Sequence, residues 1–427
     1  MSPALVARSP SMPSQDSRPS PAPRLVRSWR HQFPVYSPLS GRALLAGARA
    51  GLRSARHGRT RERLLELLAD RYRPKAVLLT DSGTAALTAA LIGVLRERPG
   101  SMAALPAFSC YDVATAALGA DAPVVLYDTD PRTLGPALSS LQAALRRGPA
   151  VVVAVHLYGC PVDLAEVHRL AAAAGAIVIE DAAQAAGAAL GARPVGTQGS
   201  LAVLSFGRGK GLTGGSGGAL LAYDEDGVRA LEHVRGVLRE PARGWRDLCA
   251  LTAQLFLLRP NLYRLPVAIP GLRLGQTIYQ VPRPLRGATA VSCGVVAATW
   301  GLAERELATR RRHATSLLRA LGRQRALQTI QTPQAARPGY LRLPVLASPE
   351  ARQLAVEGRA RALGVMPSYP KTLCDLEGFA ARCVNRGDAF PGSRLLAARL
   401  CTLPTHSRLG IADLKRLEQW IDLVGRR

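Results

Sequence analysis

Lys210 stands in a run of glycines, Ser205-Phe206-Gly207-Arg208-Gly209-Lys210-Gly211, which leads into Thr213-Gly214-Gly215-Ser216-Gly217-Gly218. A lysine that is partly desolvated has a neutral amine available to attack a carbonyl and form a Schiff base. Glycines around it let the backbone bend tightly and approach a bound molecule. The chain has only four lysines (Lys75, Lys210, Lys371, Lys415) among 56 basic residues, so a lysine inside a glycine loop is not an incidental placement. A Walker-type phosphate loop would need Ser or Thr after the lysine, and Gly211 breaks that pattern.

Three other segments put polar residues at the ends of apolar runs. Asp81-Ser82-Gly83-Thr84-Ala85-Ala86-Leu87 directly follows Val77–Thr80. A strand, a small turn and a helix start leave backbone N–H groups at a helix N-terminus, which suits a phosphate. An ordinary cap by Ser82 or Thr84 explains the same residues. Ile177-Val178-Ile179-Glu180-Asp181 ends in two acids, with Gln184 shortly after. Ligands in α/β sheets sit at the carboxyl ends of strands. A carboxylate there can keep a pyridine nitrogen protonated, and a protonated pyridine is the electron sink of pyridoxal phosphate (PLP) chemistry. A helix cap by Asp181 is the plain alternative. His156-Leu157-Tyr158-Gly159 closes the run Val151–Val155. His156 and Tyr158 either line a pocket or are structural.

Positioning these segments requires an alternating scaffold. Apolar runs at Ala76–Thr80, Val124–Asp128, Ala150–His156, Ala176–Glu180, Leu201–Ser205 and Ala219–Ala222 alternate with helical stretches at Thr84–Arg96, Pro136–Arg147 and Asp163–Ala174. Strands apolar on both faces, with helices between them, predict an α/β domain with a mostly parallel central sheet flanked by helices. It is expected over 33–287, with an atypical insertion at 245–285 that carries an apolar helix and then Pro260, Pro266, Pro270, Pro282 and Pro284. Residues 288–427 are expected to form a long helix, Ala288–Leu321, and a small C-terminal α+β domain closed by an amphipathic helix at Asp413–Val424. Residues 1–32 are rich in Ser, Pro and Arg without periodicity and read as a disordered tail.

Composition narrows the function. The formal charge of +26 points first to nucleic acid, but the arginines are scattered and lack interleaved aromatic residues that would stack bases. A basic surface still favours anionic small molecules. No apolar run is long enough to span a bilayer, and no apolar segment follows Arg8 to make a secretory signal. Seven dispersed cysteines without C-x-x-C spacing predict neither a metal site nor a disulfide framework, and a reduced, cytoplasmic protein is the simple expectation.

From about Phe33 to the C-terminus the chain resembles the DegT/DnrJ/EryC1/StrS family of PLP-dependent aminotransferases, known for making amino sugars on nucleotide carriers. The resemblance rests on Ser82–Leu87, Pro106–Ser109, Tyr127–Leu134, His156–Gly159, Glu180–Ala188, Ser205–Leu212, Gly215–Leu221, Phe390–Ser393 and Leu403–His406, in this order. It implies a fold-type-I PLP transferase acting as a homodimer. Lys210 would carry the cofactor as a Schiff base and shuttle protons, and Asp181 would pair with the pyridine nitrogen. Gln184 would lie near the ring hydroxyl, while Gly83, Thr84 and Ser205, with Ser82 at the same turn, would hold the phosphate. His156, Tyr158, Arg208 and His406 are candidates for substrate contact.

Two departures stand out. Members place an aromatic residue on the PLP ring where this chain has Cys110, so either Tyr111 takes over the stacking or the cofactor is held differently. Arg283-Pro284-Leu285-Arg286-Gly287 replaces a segment whose Asn reaches the phosphate across the dimer, leaving Arg283 or Arg286 to supply charge. The resemblance thus implies amino transfer from a donor such as glutamate to a keto-sugar nucleotide or similar keto substrate. Another PLP reaction on the same fold, and a non-catalytic binding relative, are the alternatives.

Overall fold

The structure, a computed structural model, describes residues 31–52, 58–257 and 279–426. Most of the expected tail, and residues 258–278 of the expected insertion with Pro260, Pro266 and Pro270, lie outside the described residues.

Seven strands form the central sheet: β1 (Ala76–Thr80), β2 (Ala103–Pro106), β3 (Val124–Tyr127), β4 (Val151–Val155), β5 (Ile177–Asp181), β6 (Leu201–Ser205) and β7 (Gly218–Ala222). Their spatial order is β1-β7-β6-β5-β4-β2-β3. Every pairing from β6 through β3 is parallel, and β7 runs antiparallel to both its neighbours. The reason lies in the connections. Parallel strands need a crossover, usually helical, whereas the glycine-rich stretch between β6 and β7 contains no helix and folds straight back. β4 reads Val-Val-Val-Ala-Val and all five residues are buried, because helices cover both faces of the sheet.

The strand β2 was not expected. Its residues, Ala103-Ala104-Leu105-Pro106, have low strand propensity and end in proline, yet they sit between β4 and β3 with every residue buried. Tertiary burial overrides local preference here. The helix that follows it, Tyr111–Gly119, was also missed, since an Ala-rich stretch of nine residues carries little periodicity.

Flanking helices relevant to the site are α1 (Gly41–Leu52), α2 (Gly58–Tyr72), α3 (Gly83–Glu97), α4 (Tyr111–Gly119), α5 (Leu138–Leu145), α6 (Ala165–Ala173), α7 (Glu225–Arg235), α8 (Trp245–Leu257) and α9 (Ala290–Leu321). Thr289 starts α9, accepting the Ser292 N–H and donating to Asp247 of α8. Beyond α9, a four-stranded antiparallel sheet of Leu327–Thr329, Leu343–Ala347, Met366–Pro367 and Leu400–Leu403 packs against the helix Ile411–Gly425. Among the described residues no helix is long and apolar enough to cross a membrane, and no cluster of His, Cys, Asp and Glu could hold a metal ion.

Candidate active site

The carboxyl ends of β5 and β6 and the N-termini of α3 and α4 converge on one cleft. Gly83, Thr84, Cys110, Asp112, Asp181, Gln184, Ser205 and Lys210 are on its walls. These come from four separate stretches of sequence, brought together because parallel strands all point their carboxyl ends the same way.

At the α3 end, Ser82 caps the helix by accepting the Ala85 N–H at 3.0 Å. The remaining first-turn amides, Gly83 and Thr84, have no carbonyl within the helix to donate to. Gly83 has a packing reason to be glycine: a Cβ there would lie 2.7 Å from Ser205 Cβ. The helix N-terminus can therefore press directly against the end of β6.

Asp181 is buried at the end of β5, with Oδ1 accepting the Ala183 N–H at 2.9 Å. Burial pushes its carboxyl above the ordinary carboxylate range, opposed by that amide and by the Lys210 ammonium nearby. A cation placed against Asp181 would relieve the cost of burying its charge.

Gln184 is held from two sides. Its Oε1 accepts the Tyr158 N–H and its Nε2 donates to the Tyr369 hydroxyl, both at 3.0 Å. Tyr369 packs against Phe108, Tyr111 and Tyr158, and its own hydroxyl is held well above the usual phenol range by burial. Tyr158 adopts a left-handed backbone (φ 57°), uncommon for a non-glycine residue. Its hydroxyl is bonded to Ser368, and its carbonyl and that of Gly159 accept N–H groups of Arg342 and Gly339.

His156 does not face the cleft. It is fully buried, its Nδ1 accepting the Val162 N–H at 3.0 Å and its Nε2–H donating to Glu180 at 2.9 Å. Glu180 also accepts from Gly196, Gln198 and Gly199 at 2.6, 2.7 and 3.3 Å. Burial alone would raise the Glu180 carboxyl, but His156 and these amides outweigh it and hold it below the usual range. A depressed folded-state pKa means stability that is present above the unfolded pKa and lost as pH falls through the folded one. Glu180→Ala would leave three amides and a histidine buried without a partner. It is expected to cost about 3–5 kcal/mol of unfolding free energy, measured by denaturant titration at neutral pH. A loss below about 1 kcal/mol would mean that water replaces the carboxylate.

His406 is also fully buried and not among the cleft residues. Its Nε2–H donates to the Phe33 carbonyl at 2.8 Å and its ring stacks on Phe33. Burial lowers its pKa to about 3, with Arg310, His313 and Arg342 acting in the same direction. Between that value and the ordinary histidine value near 6.5 only the unfolded chain binds this proton, so stability falls as pH drops through the window. His406→Gln keeps a donor but cannot titrate. Melting temperatures from pH 7 to 4 are expected to fall less steeply for it, and an unchanged slope would refute the assignment.

Arg208 is exposed beside the cleft rather than in its lining. Of the pair at the ring-stacking position, Cys110 is on the cleft wall. Burial and the Asp112 carboxylate, 3.4 Å from its sulfur, push the thiol up to about 12. Tyr111 turns the other way, its ring against Tyr369 and its hydroxyl accepting the Lys371 N–H at 3.0 Å. Leu285 and Arg286 are tied by backbone bonds to Arg239 and Asp81, and the Arg286 guanidinium donates to the Glu240 carbonyl.

Tyr369, Ser368 and Asp112 belong to this surrounding and were not anticipated. Tyr369 lies 185 positions from Gln184, and no local pattern announces such a contact. Asp112 had a usable signal, an acid in the first turn of a helix that begins just after a strand end.

Residues 44–248 match the model of the DegT/DnrJ/EryC1/StrS aminotransferase family. An L-glutamine:2-deoxy-scyllo-inosose aminotransferase of Streptomyces kanamyceticus is 34% identical over 210 residues, which is 49% of this chain and 46% of that protein. A UDP-N-acetyl-3-dehydro-alpha-D-glucosamine 3-aminotransferase of Acidithiobacillus ferrooxidans is 36% identical over 155 residues, 36% of this chain and 42% of that protein. The chain thus spans less than half the length of these relatives. The crystal structure of the sugar aminotransferase CalS13 from Micromonospora echinospora superposes with a TM-score of 0.69 at 22% identity, covering 91% of this chain and 98% of that one. That of DesV from S. venezuelae, in complex with a ketimine intermediate, gives 0.72 at 20% identity, covering 93% and 99%. The fold is therefore shared with these sugar aminotransferases over nearly its whole length, a mainly parallel sheet flanked by helices as in fold-type-I PLP transferases, and residues 44–248, just under half of the chain, are similar to the DegT/DnrJ/EryC1/StrS aminotransferase family.

Proposed function

We propose that this protein is a PLP-dependent aminotransferase that moves an amino group from an amino acid such as glutamate to a keto-sugar nucleotide or similar keto substrate. The observation that carries the reading is the convergence of Lys210, Asp181, Gln184, Ser205 and the α3 N-terminus on one cleft. The matched family, and relatives named for amino transfer to keto sugars and inososes, support it.

The residues present fit PLP. A buried carboxyl raised by desolvation suits a protonated ring nitrogen. The amides of Gly83 and Thr84, with the Ser82 and Ser205 hydroxyls close by, suit a phosphate. When bound, PLP supplies an electron sink for the negative charge that develops at the substrate carbon. Lys210 Nζ would take the proton from that carbon and return it to the carbon on the other side of the transferred nitrogen, as general base and general acid in turn. Asp181 holds its charge against the ring nitrogen, and Gln184, fixed by Tyr158 and Tyr369, orients the ring hydroxyl. Cys110 forms the wall where an aromatic residue would stack.

The reading includes a homodimer in the cytoplasm. Exposed apolar side chains on neighbouring helices, Leu45 and Leu52 of α1 and Trp245 and Phe256 of α8, support a subunit contact. Seven cysteines without a disulfide suit a reducing compartment.

The test is an absorbance spectrum of purified protein with added PLP. A visible band that moves to the ultraviolet on adding L-glutamate or L-glutamine is expected, and keto sugars on nucleotides or free inososes should restore it. No protein-dependent band would overturn the reading.

A further inference from the structure

Residues 31–40 cross the molecule as an extended strap with three anchorages. At one end the Gln32 N–H donates to the Ala362 carbonyl, Phe33 stacks on His406 with ring centroids 4.7 Å apart, and the Phe33 carbonyl accepts from His406. These contacts all belong to the C-terminal part of the chain. In the middle the Tyr36 carbonyl accepts from Arg310 of α9, and the Tyr36 ring lies under the Arg408 guanidinium, which also donates to its hydroxyl at 3.0 Å. At the other end the buried Ser37 hydroxyl donates to the backbone carbonyl of Lys210 at 2.8 Å. Val35 packs on Gly209, which has φ +78° and whose Cβ would lie 3.1 Å from Val35 Cγ1.

We propose that Ser37 is a positioning residue for Lys210. The glycine loop bends readily but for the same reason does not hold a shape by itself. Within the loop, Lys210 is tied by a long backbone bond, its N–H to the Gly207 carbonyl at 3.3 Å. The Ser37 bond is shorter, comes from 173 residues away, and is attached to a strap that is itself clamped at Phe33 and Tyr36. It sets the peptide plane at Lys210 and so the direction in which the side chain leaves the backbone. Amino transfer needs the amine to reach the two carbons on either side of the transferred nitrogen in turn, so a fixed starting point limits the search. The inference rests on the reading of Lys210 as the working amine, but its geometry can be tested without cofactor.

The experiment compares wild type, Ser37→Ala and Ser37→Thr as apoproteins by hydrogen–deuterium exchange with mass spectrometry, then measures PLP affinity by absorbance. Ser37→Ala is expected to speed exchange of the 207–211 amides about tenfold, the size of one lost buried hydrogen bond, with β6 unchanged. PLP affinity should weaken by a similar factor, and the visible band should titrate at a different pH. Ser37→Thr, which keeps the hydroxyl, should restore all three. Unchanged loop exchange in Ser37→Ala overturns the proposal. A threonine variant that behaves like the alanine variant also overturns it, since packing and not the bond would then set the loop. If wild type binds no PLP while the exchange pattern is as expected, the aminotransferase reading fails and the strap stands.

Discussion

Replacing Lys210 with alanine is expected to abolish turnover and, with PLP added, the visible absorbance band. The lysine is asked to do two things, hold the cofactor and move the proton, and proton transfer by a positioned side chain alone is worth about 10²–10⁴ in rate. A loss of at least ~10³ in kcat is therefore expected, together with loss of borohydride-trapped cofactor mass on the peptide containing residue 210. Neither Lys75, Lys371 nor Lys415 is among the cleft residues, so a substitute amine does not come from a neighbour. Small primary amines added at high concentration should recover part of the rate. Full activity in Lys210→Ala would sink the assignment.

Asp181→Asn is expected to have the second-largest effect. Asparagine is nearly the same size and its Oδ1 can still accept the Ala183 N–H, so folding should change little. What disappears is the negative charge. In a buried site that charge is worth far more than in water, and removing one preorganised electrostatic partner costs about 10²–10³ in kcat. PLP should still bind through the α3 N-terminus and Lys210. The split between a collapsed kcat and a modest change in cofactor affinity distinguishes Asp181 from a merely structural residue. An unchanged kcat would show that the carboxylate does not face the reacting ring.

Much of this arrangement is legible in the sequence because it is local. A strand such as Val151–Val155, apolar at every position, can only lie inside a covered sheet, and the residues just after such strands must line its carboxyl edge. That puts Asp181, Gln184, Ser205 and Thr84 near one edge of the sheet, while the choice between a binding site and a helix cap comes from the family resemblance. Where two meanings are equally local, pattern cannot choose. His156 follows a strand just as Asp181 does, yet it turns inward because Glu180 beside Asp181 offers it a buried acceptor. Short, weakly patterned elements hide as well: Ala103–Pro106 is a strand only because β3 and β4 enclose it. Contacts set by the chain's return remain silent, as with Tyr369 over Gln184 and Ser37 under Lys210.

The left-handed turn at Tyr158 has a mechanical consequence. Its carbonyl and that of Gly159 are bonded to the backbone of Arg342 and Gly339, while Tyr158 also reaches Ser368. The segment that holds Gln184 on the cleft wall is thus stitched to the C-terminal half by the backbone itself. Hinging the two apart would tear main-chain hydrogen bonds next to that wall and expose buried polar groups. On the proposed reading, substrate then enters a cleft whose two sides stay joined, without a clam-shell opening between them.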